Sequence, residues 1–340
     1  WRCATTSGYM GKQEVAVLAS AAGAVAIGAL YWRWRCATTI RHGVPKPGAA
    51  VFVTGAGTGI GRGIALHLHT LGFHVFAGVI SDAEATSIMQ SAAESPSLMT
   101  PIIIDVTSEN SMALAAAEVQ ANALDGELWG VVNNAGIPGG QCPVELAPLP
   151  QIRRCFEINT LGQVITLQAM LPLVRRAKGR VINIASVNGF FATWGNSPYA
   201  ISKFGVEAMT ESLRYEMAPF GVHVAVIEPG GVRTAMWDTT ALDNRLWELM
   251  RLRPAAADYG ERIEPDLVAA KAMQEQLDDP SVVAAAVGDA LTSPTPQHRY
   301  SIAYKAGTLR LLRMLPDVLF YKIVASIIPP GTLLPDFEAE

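Results

Sequence analysis

The chain has 340 residues, half of them apolar, 16% charged residues and a formal net charge of −4. That is ample for one core and too little for two large domains, and the mild acidity without basic runs argues against nucleic acid as a partner. Four cysteines (Cys3, Cys36, Cys142, Cys155) show no framework spacing, which suits a reducing compartment, and the six histidines show no metal-ligand spacing, so no metal site is expected.

At the N-terminus, Trp1-Arg2-Cys3-Ala4-Thr5-Thr6 recurs verbatim as Trp34-Arg35-Cys36-Ala37-Thr38-Thr39. Met10-Gly11 reads as a natural start, which leaves residues 1–9 without a functional reading. Val15 to Trp32 is an uncharged, apolar, small-residue stretch of 18 residues. As a helix it spans about 27 Å, close to the hydrocarbon thickness of a thin bilayer. Tyr31, Trp32 and Trp34 suit the interface, and Arg33, Arg35, Arg41 and Lys46 outnumber Arg2 and Lys12, so the positive-inside rule places the rest of the chain in the cytosol. The expectation is an extension over 1–47 carrying a transmembrane anchor at about 15–32, with Arg41 to Gly48 as linker. A cleaved signal peptide and a buried helix are the alternatives.

The apolar run Ala50-Val51-Phe52-Val53 predicts a buried strand. It enters Thr54-Gly55-Ala56-Gly57-Thr58-Gly59-Ile60-Gly61, and helical spacing follows over Ile64, Ala65, Leu68 and Leu71. Strand, glycine turn and helix are the setting in which backbone N–H groups meet a pyrophosphate at a helix N-terminus. Taken alone, such a turn is also compatible with an ordinary tight βα connection. Ile102-Ile103-Ile104-Asp105 predicts a strand ending in a carboxylate, and Trp129 to Asn133 a strand running into Asn134-Ala135-Gly136. Asn159 lies in a helical stretch, and Val181 to Ala185 is a strand ending at Ser186. Val222 to Glu228 is another, followed by Pro229-Gly230-Gly231-Val232-Arg233-Thr234. Each candidate sits just past a strand's C-terminal end or on the next helix, the edge where open α/β sheets bind ligands.

Tyr199 and Lys203, four apart on a predicted helix, share one face. A phenol beside an ammonium loses its proton nearer neutral pH, because the positive charge favours the phenolate. Ser186 could hold a substrate oxygen at the same spot. Plainer roles exist for the neighbours: Ser186 could cap a helix, Asn159 could bond nearby backbone, and Asp105 could cap the helix beginning near Ser108.

The whole ordered set resembles the short-chain dehydrogenase/reductase family over roughly residues 48–305. The anchored N-terminus, the apolar tail and Gly72-Phe73-His74-Val75-Phe76-Ala77-Gly78 are similar to its retinol and hydroxysteroid dehydrogenase branch, and the last also to 3-hydroxybutyrate dehydrogenases. The resemblance implies an α/β, Rossmann-type, doubly wound fold with a mostly parallel seven-stranded sheet and helices on both faces. It implies Gly55, Thr58, Gly59, Ile60 and Gly61 as the coenzyme turn, and Asp105 with Val106 at the adenine. Asn133, Ala135 and Gly136 would support the sheet and line the cofactor. Pro229, Gly230, Val232 and Thr234 would lie at the nicotinamide, Thr234 holding its carboxamide. Asn159, Ser186, Tyr199 and Lys203 match the catalytic tetrad. Tyr199 would be the general acid/base; Lys203 would lower its pKa and hold the ribose hydroxyls; Ser186 would orient the substrate oxygen; Asn159 would support a water-linked proton path.

The strand His74 to Ile80 carries neutral Val79 at the usual acidic position, with Asp82 slightly later, and no cation nearby to attract a 2′-phosphate. NAD is therefore expected over NADP. The segment from Thr234 to about Pro280 corresponds to a substrate lid, with Met236, Trp237, Leu246, Trp247, Leu249 and Met250. Together with Phe190, Phe191 and Trp194 it suggests a large apolar pocket, although packing on the lid's own underside is equally compatible. The amphipathic tail over 306–340 could dock on the core, line the pocket mouth or lie in the membrane interface. The expected function is NAD(P)-dependent alcohol–ketone interconversion on a lipophilic steroid or retinoid, anchored in the endoplasmic reticulum membrane with a cytosolic catalytic domain. A homodimer through the helices bearing Asn159 and Tyr199 follows from the family. The alternatives are a 3-hydroxybutyrate or 3-ketoacyl enzyme and a membrane-tethered cofactor-binding protein without turnover.

Overall fold

Val51 and Val53 point to one side of their strand and Phe52 to the other, and all three are fully buried. Strands covered on both faces read as unbroken apolar runs, which is why this one was visible in the sequence. The computed structural model describes residues 41–140, 142–193, 195–234, 254–256, 258–259 and 277–327. The expected anchor, Trp194, Trp237, most of the lid and the end of the tail lie outside them.

Seven strands form one parallel sheet in the order 3-2-1-4-5-6-7: β1 (Ala50–Thr54), β2 (His74–Val79), β3 (Met99–Ile103), β4 (Gly130–Asn133), β5 (Arg180–Ile184), β6 (His223–Pro229) and β7 (Arg299–Ile302). The expected mostly parallel sheet is parallel at every pairing. The strand placed at Ile102–Asp105 runs instead from Met99 to Ile103. Pro101 is tolerated in it because β3 is an edge strand.

The helices are α1 (Gly59–Thr70), α2 (Asp82–Ser91), α3 (Glu109–Asn122), α4 (Leu149–Phe156), α5 (Gly162–Ala177), α6 (Ser197–Met217), α7 (Ser281–Thr292), α8 (Ala306–Leu312) and α9 (Asp317–Ile327). Ile64 and Leu68 of α1, Ile88 of α2, and Val283, Val287 and Leu291 of α7 pack on one face of the sheet with Val51 and Val53. Met112 and Val119 of α3, Leu167 and Met170 of α5, and Leu213 of α6 cover the other face with Phe52 and Phe76. Among the described residues no helix is long and apolar enough to cross a membrane. The tail docks on the core: Phe320 of α9 is buried against Phe190 and Phe191, its ring edge-on to Phe191 with centroids 5.5 Å apart.

Strand order reverses between β1 and β4, so the loops leaving these two strands diverge and open a crevice at their C-terminal ends. The opposite edge is closed by Arg180, which is buried beneath Trp129 and donates to the carbonyls of Ala290, Gly43 and Ser293 at 2.6–2.7 Å. His42 N–H donates to Pro294 O. Thus His42 and Gly43, in the stretch expected as linker, are hydrogen-bonded at the base of the sheet. His42 and His298 flank the His223 ring, with centroids 4.6 and 4.8 Å away.

Burial, with His42, His298 and Arg180 close by, holds the His223 pKa down to about 3. An unfolded histidine titrates near about 6.5. Below that pH the unfolded chain binds a proton that the folded one refuses, so the stability is complete above about pH 6.5 and is lost as pH falls. The loss is about 1.4 kcal/mol per unit for this one group. Denaturant unfolding between about pH 6.5 and 5 should therefore show a shallower pH dependence in His223→Gln than in the wild type; equal slopes would contradict this role.

Candidate active site

Gly55 (φ +66°) and Gly59 (φ +52°) adopt the left-handed conformation that turns β1 sharply into α1. A Cβ on Gly61 would overlap the Gly55 carbonyl, so the helix can start this close to the strand only with glycine there. Thr54 and Asn134 then bind the turn to the loop after β4. Thr54 Oγ1 accepts from the N–H groups of Asn134 and Ala135, both at 3.0 Å, and Asn134 Nδ2 donates to Thr54 O at 3.0 Å and Gly55 O at 3.3 Å. The N-termini of α2 and α3 are capped by Ser81 and Ser108 and carry acidic residues in the first turn. At α1, Thr58 makes no side-chain cap and the first turn holds no acid. Its backbone N–H groups and its helix dipole are left to an anion, which fits a phosphate-bearing nucleotide. Thr234 lies against Gly59 from the loop after β6: a Cβ on Gly59 would be 3.4 Å from it.

Across the crevice, Ser186 lies two residues past the end of β5, and Tyr199 and Lys203 stand on the first two turns of α6. Ser186 Oγ caps the short turn Val187–Gly189 by accepting from Asn188 N–H at 3.2 Å. Ser186 therefore serves as a cap, while its hydroxyl also favours the phenolate of Tyr199. Lys203 is buried and donates to Ile184 O at 2.9 Å, with Nζ 5.6 Å from the Tyr199 ring centre. Burial pushes Tyr199 up to about 12 against the pull of Ser186, and pushes Lys203 down to about 8. The expected lowering of the phenol's pKa by the ammonium is thus overridden in this structure. Desolvation disfavours both charges, and the ammonium is spent on a carbonyl.

Asn159 sits in a five-residue π-turn, Glu157–Leu161, between α4 and α5. Such bulges mark functional positions because they redirect side chains within a helix. Its Oδ1 accepts from Ile137 N–H at 2.8 Å, and its Nδ2 donates to Ile137 O and Ser202 Oγ, both at 3.0 Å. Ser202 in turn donates to Tyr199 O at 2.7 Å. The side-chain amide is fully committed to backbone and to Ser202, so what it contributes here is placement of the β4 loop and of the Tyr199 turn.

The sequence profile of the short chain dehydrogenase family matches residues 49–245. The chain belongs to this family. It is 36% identical over 292 residues to mouse retinol dehydrogenase 5, covering 84% of this chain and 90% of that protein. It is 38% identical over 267 residues to bovine mitochondrial D-beta-hydroxybutyrate dehydrogenase, covering 75% and 77%. A short-chain dehydrogenase from Streptomyces avermitilis has the same fold at a TM-score of 0.65 with 27% identity, over 83% of this chain and 98% of that one. The protein is accordingly an oxidoreductase of the alcohol–ketone class, and the fold implies a nicotinamide cofactor.

Other expected positions of this short-chain dehydrogenase fall in three groups. Gly136 approaches Asn159 closely, since a Cβ there would be 3.2 Å from Oδ1, and Pro229 O faces Ser186 Oγ at 3.5 Å. Gly230 lies where a Cβ would overlap Tyr304 O, and Val232 and Ile60 pack into the core. By contrast, Asn133 is fully buried and turned away from the crevice, donating to Asn183 Oδ1 at 2.9 Å, with Asn183 donating onward to Thr210. Asp105 Oδ1 accepts from Thr107 N–H and Oγ1, while Ser108 caps α3 and Val106 packs on Gly162. Phe190 is buried against the C-terminal tail beneath Arg310, whose guanidinium is 4.8 Å from its ring centre. The structure adds Thr54, Asn134, Ser202 and Glu84, all adjacent to the motifs yet without spacing of their own to flag them.

Gly61→Ala should weaken binding of the nicotinamide cofactor at least about tenfold, roughly 1.4 kcal/mol, as read by cofactor fluorescence. Unchanged affinity would show that this turn does not hold it.

Proposed function

We propose that the protein is an NAD-preferring, membrane-anchored dehydrogenase/ketone reductase acting on a lipophilic alcohol or ketone, a steroid or retinoid, with Tyr199 as general acid/base. The observation that carries this reading is buried Lys203 with its Nζ 5.6 Å from the Tyr199 ring centre, on the helix that follows Ser186, in a sheet whose first helix α1 has an uncapped N-terminus. When bound, the cofactor accepts or supplies the hydride. Ser186 orients the substrate oxygen. Tyr199, a neutral phenol at physiological pH, gives its proton to a ketone oxygen, and takes one from an alcohol only as the phenolate. Lys203 holds ribose hydroxyls and, while charged, favours that phenolate. Gly55, Gly59, Gly61 and Thr234 form the wall against which the nucleotide lies.

NAD preference is supported by Glu84 rather than by Asp82. Asp82 is exposed in the first turn of α2, whereas Glu84 Oε2 lies against Gly57, held by Ile80 N–H at 3.1 Å. The nearby cation, Arg62, is turned to Gly57 O, Ser87 O and Ser91 Oγ. A 2′-phosphate here would face a carboxylate and no free guanidinium. Replacing Glu84 by Gln should shift the NADP-to-NAD ratio of kcat/KM toward NADP by about tenfold; no shift would remove Glu84 from this role.

A lipophilic substrate is supported by the 36% identity to a retinol dehydrogenase over nearly the whole of both chains, and by the apolar residues after Thr234. The 38% identity to a hydroxybutyrate dehydrogenase favours a second reading, a small 3-hydroxy acid. The apolar stretch Val15 to Trp32 supports membrane attachment at the endoplasmic reticulum with the catalytic domain cytosolic. Exposed Leu161, Ile201 and Phe204 near the Asn159 and Tyr199 positions support a homodimer.

Turnover of a panel of steroids, retinoids and 3-hydroxy acids with both cofactors separates these readings. Tyr199→Phe is expected to lose at least about a thousandfold in kcat, near the upper range for removing a general acid, while binding cofactor as the wild type does. Near-normal turnover in that variant would overturn the mechanism.

A further inference from the structure

Glu207 lies one turn beyond Lys203 on α6, away from the crevice. Its side chain is only 13% exposed. It is wedged beneath Gly189, the last residue of the turn that Ser186 caps: a Cβ on Gly189 would lie 2.9 Å from Glu207 Cγ and 3.0 Å from Lys203 O. Glu207 Oε2 pairs with Arg299 of β7 at 2.6 Å, and Oε1 is a buried oxygen without a hydrogen bond, on the Gly189 side. Arg299 also pairs with fully buried Glu228 of β6, which accepts from Ser301 and lies 3.5 Å from Arg310 of α8. The charged groups facing Glu207 are therefore Lys203 and Arg214 from its own helix, Glu228 from β6, Arg299 from β7 and, through Glu228, Arg310 from the tail.

We propose that Glu207 is a positioning residue of the active site, fixing the Ser186–Gly189 turn on α6 and supplying the negative charge that keeps Lys203 an ammonium. The inference rests on the reading of Lys203 as a required cation. Burial presses Lys203 toward its neutral form; Cys155 opposes it, and so does Glu207 from the next turn of the helix. Glu207 itself is pushed up to about 7 by burial and by Glu228, against Arg299. Its charge, and with it part of the charge on Lys203, is thus set by the polar chain that runs through β6 and β7 to the tail.

Titration of the cofactor-free protein by lysine 15N NMR reads the Lys203 midpoint directly, with the signal assigned by its loss in Lys203→Met. In Glu207→Gln, which keeps the side chain's shape, the midpoint should fall by about half a pH unit or more. The alkaline limb of ketone reduction should move to lower pH by the same amount. In Glu207→Asp the charge remains, so the midpoint and the limb should stay near the wild type, with kcat reduced because the shorter side chain retracts from Gly189. A purely structural Glu207 would lower stability and leave both midpoints in place, and an unmoved Lys203 midpoint in Glu207→Gln overturns the proposal. If Glu207→Gln does not fold, a midpoint displaced by half a unit in Glu207→Asp overturns it. A lowered midpoint in Glu207→Gln alongside a wild type that turns over no alcohol or ketone would support the Glu207 assignment and defeat the catalytic reading instead.

Discussion

Most polar groups at the C-terminal edge of this sheet that are taken out of water find a partner inside the protein, because an orphaned one costs about 1–3 kcal/mol. That constraint builds the site. Asn159 has its amide oxygen and nitrogen bonded to Ile137 and Ser202, and Ser202 bonds the Tyr199 carbonyl, so the loop after β4, the π-turn and the first turn of α6 have one mutual arrangement that satisfies all three. Thr54 and Asn134 do the same between β1 and β4, and Asn133, Asn183 and Thr210 between β4, β5 and α6. Tyr199 is thus positioned by the amides and hydroxyls bonded behind it.

The same burial sets the electrostatics. A tyrosine and a lysine four residues apart suggest a phenol acidified by an ammonium, but proximity is one influence among several. Burial disfavours both charged forms, and the pair settles with the phenol pushed up to about 12 and the ammonium down to about 8. The phenol is left in the protonation state in which it can donate, which suits proton delivery to a ketone oxygen. The charges that counter this tendency lie behind the site, in the Glu207–Arg299–Glu228 chain.

Much of this was legible in the chain. Parallel strands covered on both faces leave continuous apolar runs, so the order of strand and helix and the binding edge past the strands' C-terminal ends could be drawn from the sequence. Tyr199, Lys203 and Ser186 were visible because their chemistry is unusual at that spacing. What was not legible depends on distant partners. The π-turn at Asn159 follows from how α4 and α5 meet; the inward turn of Asn133 follows from Asn183, fifty residues away. Asp82 has the right charge near the right place, yet Glu84 reaches Gly57 because Ser81 caps α2 and fixes which way that first turn faces. Phe190, an apolar residue just past Ser186, is claimed by the tail through Phe320, and no local pattern distinguishes a pocket wall from a docking site.

Substrate choice follows a different logic from chemistry. Relatives whose names cite retinol and hydroxybutyrate match this chain to nearly the same degree. A parallel sheet, a glycine turn and a proton-transferring tyrosine would handle an alcohol oxygen alike, whatever chain carries it. Discrimination between a polyene or sterol and a four-carbon acid must come from outside that apparatus: an apolar wall rewards area removed from water, at about 25 cal/mol per Å2, whereas a carboxylate demands a cation held without its own partner. At the tail, Arg310 and Arg313 are stacked over Phe190 and Phe320 and engaged with Glu228 and Asp317. A carboxylate seeking either would have to displace a protein acid.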